Sequence, residues 1–231
     1  AAQRNQQNQL QASLDELGQN IRTTGGTERI VIQQATPKPE DPNAAATAAE
    51  KARQKQVNDL LARGASLFNA ERYPEARKAF EDALVIDPEN AQALAYAGRS
   101  WFKEKPDDPD ALQKAAEYSN RAITKDPNLW VPHDTLGQIY EQRKLYDEAE
   151  KEYRIASRLN PGDAEILYNL GKVQYYARRY TEAVASFDSC LKLKPDHENA
   201  LFRRGMSLIQ LGDEDRALDS MRRATTVTTR W

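Results

Sequence analysis

Most of this 231-residue sequence consists of a repeated unit that ends near a proline. The prolines that close its helix-like segments are spaced 39, 34 and 34 residues apart, at Pro88, Pro127, Pro161 and Pro195. A unit of about 34 residues is too small to bury its own apolar face, so successive units must stack and share a core. The period therefore constrains this part of the chain to an array of helical units.

Small and large residues recur at fixed places within the period. Glycine recurs at Gly64, Gly98, Gly137, Gly171 and Gly205. Alanine recurs at Ala76, Ala115, Ala149, Ala183 and Ala217. A large residue lies four positions further on in four units, at Phe80, Tyr153, Phe187 and Met221. We expect the small residues where two helices of one unit approach closely, with the large side chains filling the gaps between them.

These marks resemble the tetratricopeptide repeat (TPR) pattern, W-x2-L-G-x2-Y followed by A-x3-F and P. The resemblance covers five repeats, at 57–90, 91–129, 130–163, 164–197 and 198–231. It implies an all-α fold, a right-handed TPR superhelical solenoid of ten antiparallel helices, with helices A and B in each repeat. The B helices are predicted to begin near Tyr73, Asp110, Tyr146, Tyr180 and Gly212. The second repeat has five extra residues, which are expected to lengthen its internal turn into an acidic loop at 103–112.

A leader at residues 1–43 precedes the predicted TPR domain at 44–231. Four of its apolar residues are spaced 4, 3 and 4 apart, which indicates a short amphipathic helix. They are Leu10, Leu14, Leu17 and Ile21. A strand-like run follows the Gly25-Gly26 break, at Ile30, Val31 and Ile32, and a proline-rich linker comes next.

Neither apolar element of the leader is long enough to fold alone. We therefore predict that each contacts another surface, which is a partner protein, a sister chain or this chain's own groove. Self-association through the leader is one form of this prediction. A flexible leader is the alternative that its polar composition favours.

Composition and charge argue against several classes of function. The 33 basic and 35 acidic residues give a formal net charge of −2, so no basic surface for nucleic acid is predicted. No run of residues is long and apolar enough to span a membrane. Cys190 is the only cysteine and fills a small-residue position of the repeat, while His133 and His197 have no partner at metal-ligand spacing.

The sequence also lacks the motifs of common catalytic sites, including the P-loop, HExxH and GxSxG patterns. We therefore expect no enzyme activity, no cofactor and no metal. The TPR resemblance implies instead a protein or peptide partner, bound along a concave groove that the A helices line. Carried over by repeat position, the predicted groove residues are Phe68, Tyr96, Arg99, Phe102, Lys103, Tyr168, Asn169, Lys172, Tyr175, Tyr176, Phe202 and Arg203. The alternative for any single aromatic ring in this set is that it packs between helices.

The leading interpretation is a non-catalytic scaffold or adaptor that supports assembly of a larger complex. The alternative is a recognition subunit of a secretion machine or enzyme complex, with the catalytic part upstream or on another chain. The carboxylate clamp of chaperone-binding TPR domains is not predicted, because Asp134 stands where that clamp has its first lysine. The sequence starts at Ala1 without an initiator methionine, so a removed upstream signal, anchor or domain, as in an exported bacterial protein, is a further hypothesis.

Overall fold

The computed structural model describes residues 42–228, and that range contains ten helices and no strand. The chain divides into two compact units, residues 1–46 and 47–231, and of the first only residues 42–46 are described. The leader residues Leu10, Leu14, Leu17, Ile21, Ile30, Val31 and Ile32 therefore lie outside the described range. The predicted boundary at residue 43 stays a prediction.

The helices pair as the TPR pattern predicts, with A helices α1, α3, α5, α7 and α9 each followed by a B helix. In order they are α1 (Pro42–Asn69), α2 (Tyr73–Ile86), α3 (Ala91–Glu104), α4 (Pro109–Lys125), α5 (Trp130–Gln142), α6 (Tyr146–Leu159), α7 (Ala164–Tyr176), α8 (Tyr180–Leu193), α9 (Glu198–Gln210) and α10 (Glu214–Thr228). All five predicted B-helix starts are confirmed to within three residues.

Most A–B turns have three residues, and the middle one has a positive φ. These residues are Glu71, Lys144, Arg178 and Gly212, with φ of 58°, 59°, 61° and 77°. A left-handed residue of this kind ends an α-helix by giving its last carbonyls a partner. In these four repeats the turn therefore stops the A helix and returns the chain along the B helix.

The prediction that the second repeat's insertion forms a long acidic loop is wrong. Helix α3 has 14 residues where the A helices of the following repeats have 13, and α4 has 17 where most B helices have 14. The turn itself, residues 105–108, is only one residue longer than the others. The side chain of Asp108 accepts hydrogen bonds from the backbone N–H groups of Asp110 and Ala111, and Pro109 starts α4. Aspartate at the N-cap and proline at the first turn favour an early helix start, so most of the insertion becomes helix.

Glycine and aromatic residues meet between the two helices of a repeat, as predicted. A Cβ atom added at Gly171 would lie 2.7 Å from the ring of Phe187, and one at Gly137 would lie 2.8 Å from the ring of Tyr153. Both rings are fully buried. A side chain at these glycines would push the helices apart, so the glycines set the helix spacing that the core needs.

Cys190 lies in this core, packed with Ala183, Phe187 and Ala200. Burial raises the pKa of the Cys190 thiol to about 12. Within residues 42–228, no helix is long and apolar enough to cross a membrane, and no group of three His, Cys, Asp or Glu side chains could hold a metal ion.

The Cys190 thiol should react very slowly in the folded protein. The thiolate is the reactive form, and an ordinary cysteine has a pKa near 8.5. At mildly alkaline pH we expect the reaction with a disulfide reagent to be on the order of a thousandfold slower than in the unfolded chain. Absorbance of the released thiol measures the rate, with the guanidinium-unfolded chain as the reference. Similar rates in the two states would contradict the burial of Cys190.

Candidate protein-binding groove

The A helices place most of the predicted groove residues on neighbouring surfaces. Helices α3 and α5 contact one another, as do α7 and α9, so side chains on consecutive A helices can meet across repeats. Two groups of polar and aromatic side chains form in this way. The first lies on α3 and α5, and the second on α5, α7 and α9.

The first group centres on Arg99 of α3. Its Nη2 lies 3.3 Å from Oδ2 of Asp134 on α5, and its guanidinium lies 5.0 Å from the ring centre of Trp130 and 5.8 Å from that of Phe68. Within the described chain, the Nε and Nη1 atoms of Arg99 have no hydrogen-bond partner. The side chain of Gln138 donates to Asp134 at 2.7 Å.

Asp134 is almost completely buried, with 2% of its surface exposed. Burial raises the pKa of its carboxyl above the ordinary 3.8, although the nearby charges of Arg99 and Lys103 oppose the shift. A carboxylate buried to this extent needs its cation, since an unpaired buried charge is costly. Arg99 therefore has a structural role, as the cation that pairs with a buried carboxylate.

Lys103 lies one turn beyond Arg99 on α3. Its Nζ donates to Oε1 of Gln138 at 3.4 Å. Burial lowers the pKa of the Lys103 ammonium, and the positive charges of Arg99 and Lys172 lower it further, although the negative charge of Asp134 opposes the shift. Lys103 is thus a half-buried cation close to two other cations, and the range 42–228 holds no carboxylate within ion-pair distance of it.

The second group is built on α7 and α9. Nζ of Lys172 lies 2.8 Å from Oε1 of Glu141, and Nε of Arg203 donates to the hydroxyl of Tyr168 at 3.2 Å. The guanidinium of Arg203 also lies 5.2 Å from the ring centre of Tyr176. Its close contacts in this group are therefore neutral phenols, and no carboxylate of residues 42–228 is within ion-pair distance.

Exposure separates the predicted rings into three classes. Phe202 and Tyr176 are open to solvent, with 52% and 42% of their surfaces exposed. Tyr168 and Tyr175 are half-buried, as is the Asn169 side chain between them in sequence. Phe102 is 6% exposed and packs with Leu112, Ala115 and Ile139, so its ring offers no groove surface.

The remaining predicted rings belong to a cluster at the first repeats. Tyr96 lies between Phe68 and Phe80, with ring centres 6.1 and 5.4 Å away. Both Phe68 and Tyr96 are half-buried. Arg99, whose guanidinium lies over Phe68, connects these rings to the first group.

Sequence reasoning missed Trp130, which opens α5 and lies against Arg99. Repeat position also assigns Glu141 to the groove face, where it pairs with Lys172. Glu141 also accepts a hydrogen bond from the hydroxyl of the buried Tyr153 at 3.1 Å. An acidic residue at a groove position opposite a lysine one repeat later would have been a usable signal.

Both histidines have packing contacts. His133 is buried, and its Nδ1 lies 2.7 Å from Oε2 of Glu152. His197 is the N-cap of α9, where its Nδ1 accepts a hydrogen bond from the N–H of Ala200, and its ring lies 4.8 Å from that of Tyr168.

Comparison with known proteins agrees with this architecture. The tetratricopeptide repeat family model matches residues 61–129, 135–198 and 168–227, which is more than half of the sequence. The chain belongs to the tetratricopeptide repeat family. TPR arrays form a protein-interaction fold, so the general expectation of a protein-binding surface stands.

The solved structure of MamA is similar over the solenoid. It has a TM-score of 0.61 and 25% sequence identity, and the match covers 77% of this chain and 98% of MamA. The fold of this chain is therefore that of a TPR solenoid.

Two curated relatives match this chain over part of their much greater length. The transcription factor tau 131 kDa subunit of Saccharomyces cerevisiae is 27% identical over 139 residues, covering 60% of this chain and 13% of the relative. Anaphase-promoting complex subunit 3 of Schizosaccharomyces pombe is 26% identical over 157 residues, covering 67% and 23%. The chain thus spans less than a quarter of the length of either relative.

Proposed function

We propose that this protein is a non-catalytic scaffold or adaptor, whose A-helix groove binds a protein segment that combines acidic and apolar side chains. One observation carries the proposal. Asp134 and Glu141 are matched by Arg99 and Lys172, whereas Lys103 and Arg203 have no carboxylate of residues 42–228 within ion-pair distance. A half-buried cation of this kind gains most from an anion that the partner supplies.

Exposed apolar surface lies beside one of these cations. Phe202 precedes Arg203 on α9, and Tyr176 lies against the Arg203 guanidinium. Aromatic rings supply buried area at low entropic cost, and charged groups fix the register of the bound segment. These rings and cations together support the binding of such a segment.

Membership of a larger assembly is part of the proposal. The two curated relatives are, by their names, subunits of a transcription factor and of the anaphase-promoting complex. A solenoid joins such an assembly by holding a segment of one neighbour along its groove.

The test uses two pools of random 12-residue peptides that alternate apolar residues with charged ones. One pool carries Glu at the charged positions and the other carries Lys. Fluorescence polarisation should show preferential binding of the Glu pool, and the affinity should fall with added salt because exposed charge pairs are screened.

Arg203→Glu should weaken binding of the Glu pool by about tenfold or more and reduce the salt dependence of that binding. The matched control is Arg158→Glu, which makes the same charge change at an exposed position on B helix α6. Equal binding of both pools, or equal losses in the two variants, would contradict the proposal.

A further inference from the structure

The last repeat ends in an apolar surface that no helix of residues 42–228 covers. Leu218 of α10 is 50% exposed, and Phe202 and Ile209 of α9 are 52% and 45% exposed. We call these three residues the end face. In a repeat array, such a face is normally buried by the next unit or by a polar capping unit.

Earlier repeats show what covers the position of Leu218. Its counterparts in three of the preceding repeats each contact the eleventh residue of the following repeat, which lies on an A helix. The pairs are Arg77 with Trp101 at 4.1 Å, Glu150 with Gln174 at 3.0 Å, and Val184 with Leu208 in one apolar cluster. By repeat position, Leu218 therefore lies where the A helix of a following repeat would pack.

The position of Phe202 also indicates that an A helix would cover the end face. Its counterpart one repeat earlier is Tyr168, whose ring lies 4.8 Å from that of His197. His197 is the residue immediately before A helix α9. An A helix that covers the end face should therefore bring the residue before its first turn onto Phe202.

The leader has a sequence in this A-helix register. When Leu10 is aligned with His197, Ile21 falls at the eleventh position of a repeat. The pair Leu17-Gly18 then coincides with Leu136-Gly137 and Leu170-Gly171, the L-G mark of the TPR pattern. Leu170 packs against Ala149 and Tyr153 of the preceding B helix, so the position of Leu17 is also a contact position.

We propose that residues 11–23 of one copy bind the end face of a second copy as an additional A helix. Ile21 then packs on Leu218, Leu10 on Phe202, and Leu17 on Met221 of α10. The Gly25-Gly26 pair follows directly, so the segment brings an A helix without its B helix. Contact between a leader and an end face is heterologous, and each copy offers both elements, so it extends along a row of copies.

The length of the chain favours a second copy over the same copy. Helix α1 has about 15 residues ahead of the first repeat, which is roughly 22 Å of helix. Residues 46–56 of that extension are exposed. To reach the last repeat of its own chain, the leader would have to run back along this extension and then past four repeats. Each packed helix adds about 8–10 Å to that distance. A second copy imposes no such span.

Cross-linking tests the contact directly. Full-length Ile21→Cys protein that carries an affinity tag is mixed with untagged Leu218→Cys protein under mild oxidation. We expect a disulfide-linked pair of one tagged and one untagged chain. Cys190 is buried and does not compete. The control partner is Val85→Cys, since Val85 is 81% exposed on α2.

The Leu218→Cys pair should form at least about tenfold faster than the Val85→Cys pair, because docking raises the local thiol concentration. Equal rates would show random collision and overturn the proposal. Cross-links within one chain, introduced by combining Ile21→Cys and Leu218→Cys in a single copy at high dilution, would show same-chain docking and also overturn it.

Sedimentation of the full-length protein gives the second test. The wild type should associate with rising concentration, and Leu218→Glu or the double change Leu14→Asp, Leu17→Asp should each weaken association by about tenfold or more. Mixing those two variants should restore a one-to-one pair and nothing larger, because one keeps the end face and the other keeps the leader. Val85→Glu is the control and should behave as wild type.

A wild type that stays monomeric at all concentrations, or association that Leu218→Glu leaves unchanged, would refute the proposal. Circular dichroism confirms that each variant is folded. Phe202 belongs to both the groove and the end face, so the two proposals are separated at residues that belong to one surface only. Leu218→Glu, on B helix α10, should not weaken Glu-peptide binding, and Lys103→Gln, on α3, should weaken that binding and leave association intact. Failure of either proposal is thereby distinguishable from failure of the other.

Discussion

Phe187→Ala should lower the free energy of unfolding by about 3–5 kcal/mol. The Phe187 ring is fully buried, faces Gly171 of the same repeat, and packs with Ala183, Cys190 and Ala200. Gly171 has no side chain that could move into the space left by the ring. The cavity therefore persists, and its cost adds to the lost burial of the ring.

Phe202→Ala is the matched control for Phe187→Ala. It removes the same side chain from a site that is 52% exposed, so the loss should not exceed about 1 kcal/mol. Because repeat arrays can unfold in segments, urea unfolding should be followed by circular dichroism and by hydrogen exchange in α7 and α8. Equal losses in the two variants would show that the ring of Phe187 is not a core element.

Arg99→Met should destabilise the protein by about 3–5 kcal/mol at neutral pH, because it leaves the carboxylate of Asp134 buried without its cation. The methionine keeps much of the apolar stem of arginine, so most of the loss comes from charge. The Nε and Nη1 atoms of Arg99 have no hydrogen-bond partner in the described chain, so few other hydrogen bonds are lost.

The destabilisation should depend on pH in a defined direction. Burial already raises the pKa of Asp134 above 3.8, and loss of the Arg99 charge should raise it further. A carboxyl whose pKa is higher in the folded than in the unfolded state loses stability as the pH rises between the two values. The penalty of Arg99→Met should therefore be largest at neutral pH and shrink on acidification towards the ordinary value.

A second variant separates charge from packing. Asp134→Asn in the Arg99→Met background removes the uncompensated carboxylate and should recover most of the lost stability at neutral pH. Arg158→Met, at an exposed site on α6, is the control and should change stability by about 0.5 kcal/mol at most. A penalty that is independent of pH, or no recovery in the double variant, would contradict the role of the Arg99–Asp134 pair.

The groove residues show how far repeat position predicts which side chains an A helix exposes. Register placed Arg99, Lys172 and Arg203 on the A helices, and the structure has them there. The same register gave Phe102 to the groove, but its ring packs with Leu112, Ala115 and Ile139 in the core. Position within a repeat does not by itself decide which side chains the neighbouring helices bury.

The sequence by itself determined the helical array, the starts of the B helices and the meeting of glycine with aromatic rings inside three of the repeats. These features depend on residues close in sequence, and they recur in successive repeats of about 34 residues. The tertiary structure alone decided which charges remain unmatched, because ion pairs such as Arg99–Asp134 and Lys172–Glu141 join side chains 31 to 35 residues apart on different helices. It also decided that the insertion becomes helix, since an Asp108 cap and Pro109 outweighed the acidic, proline-containing composition that resembled a loop.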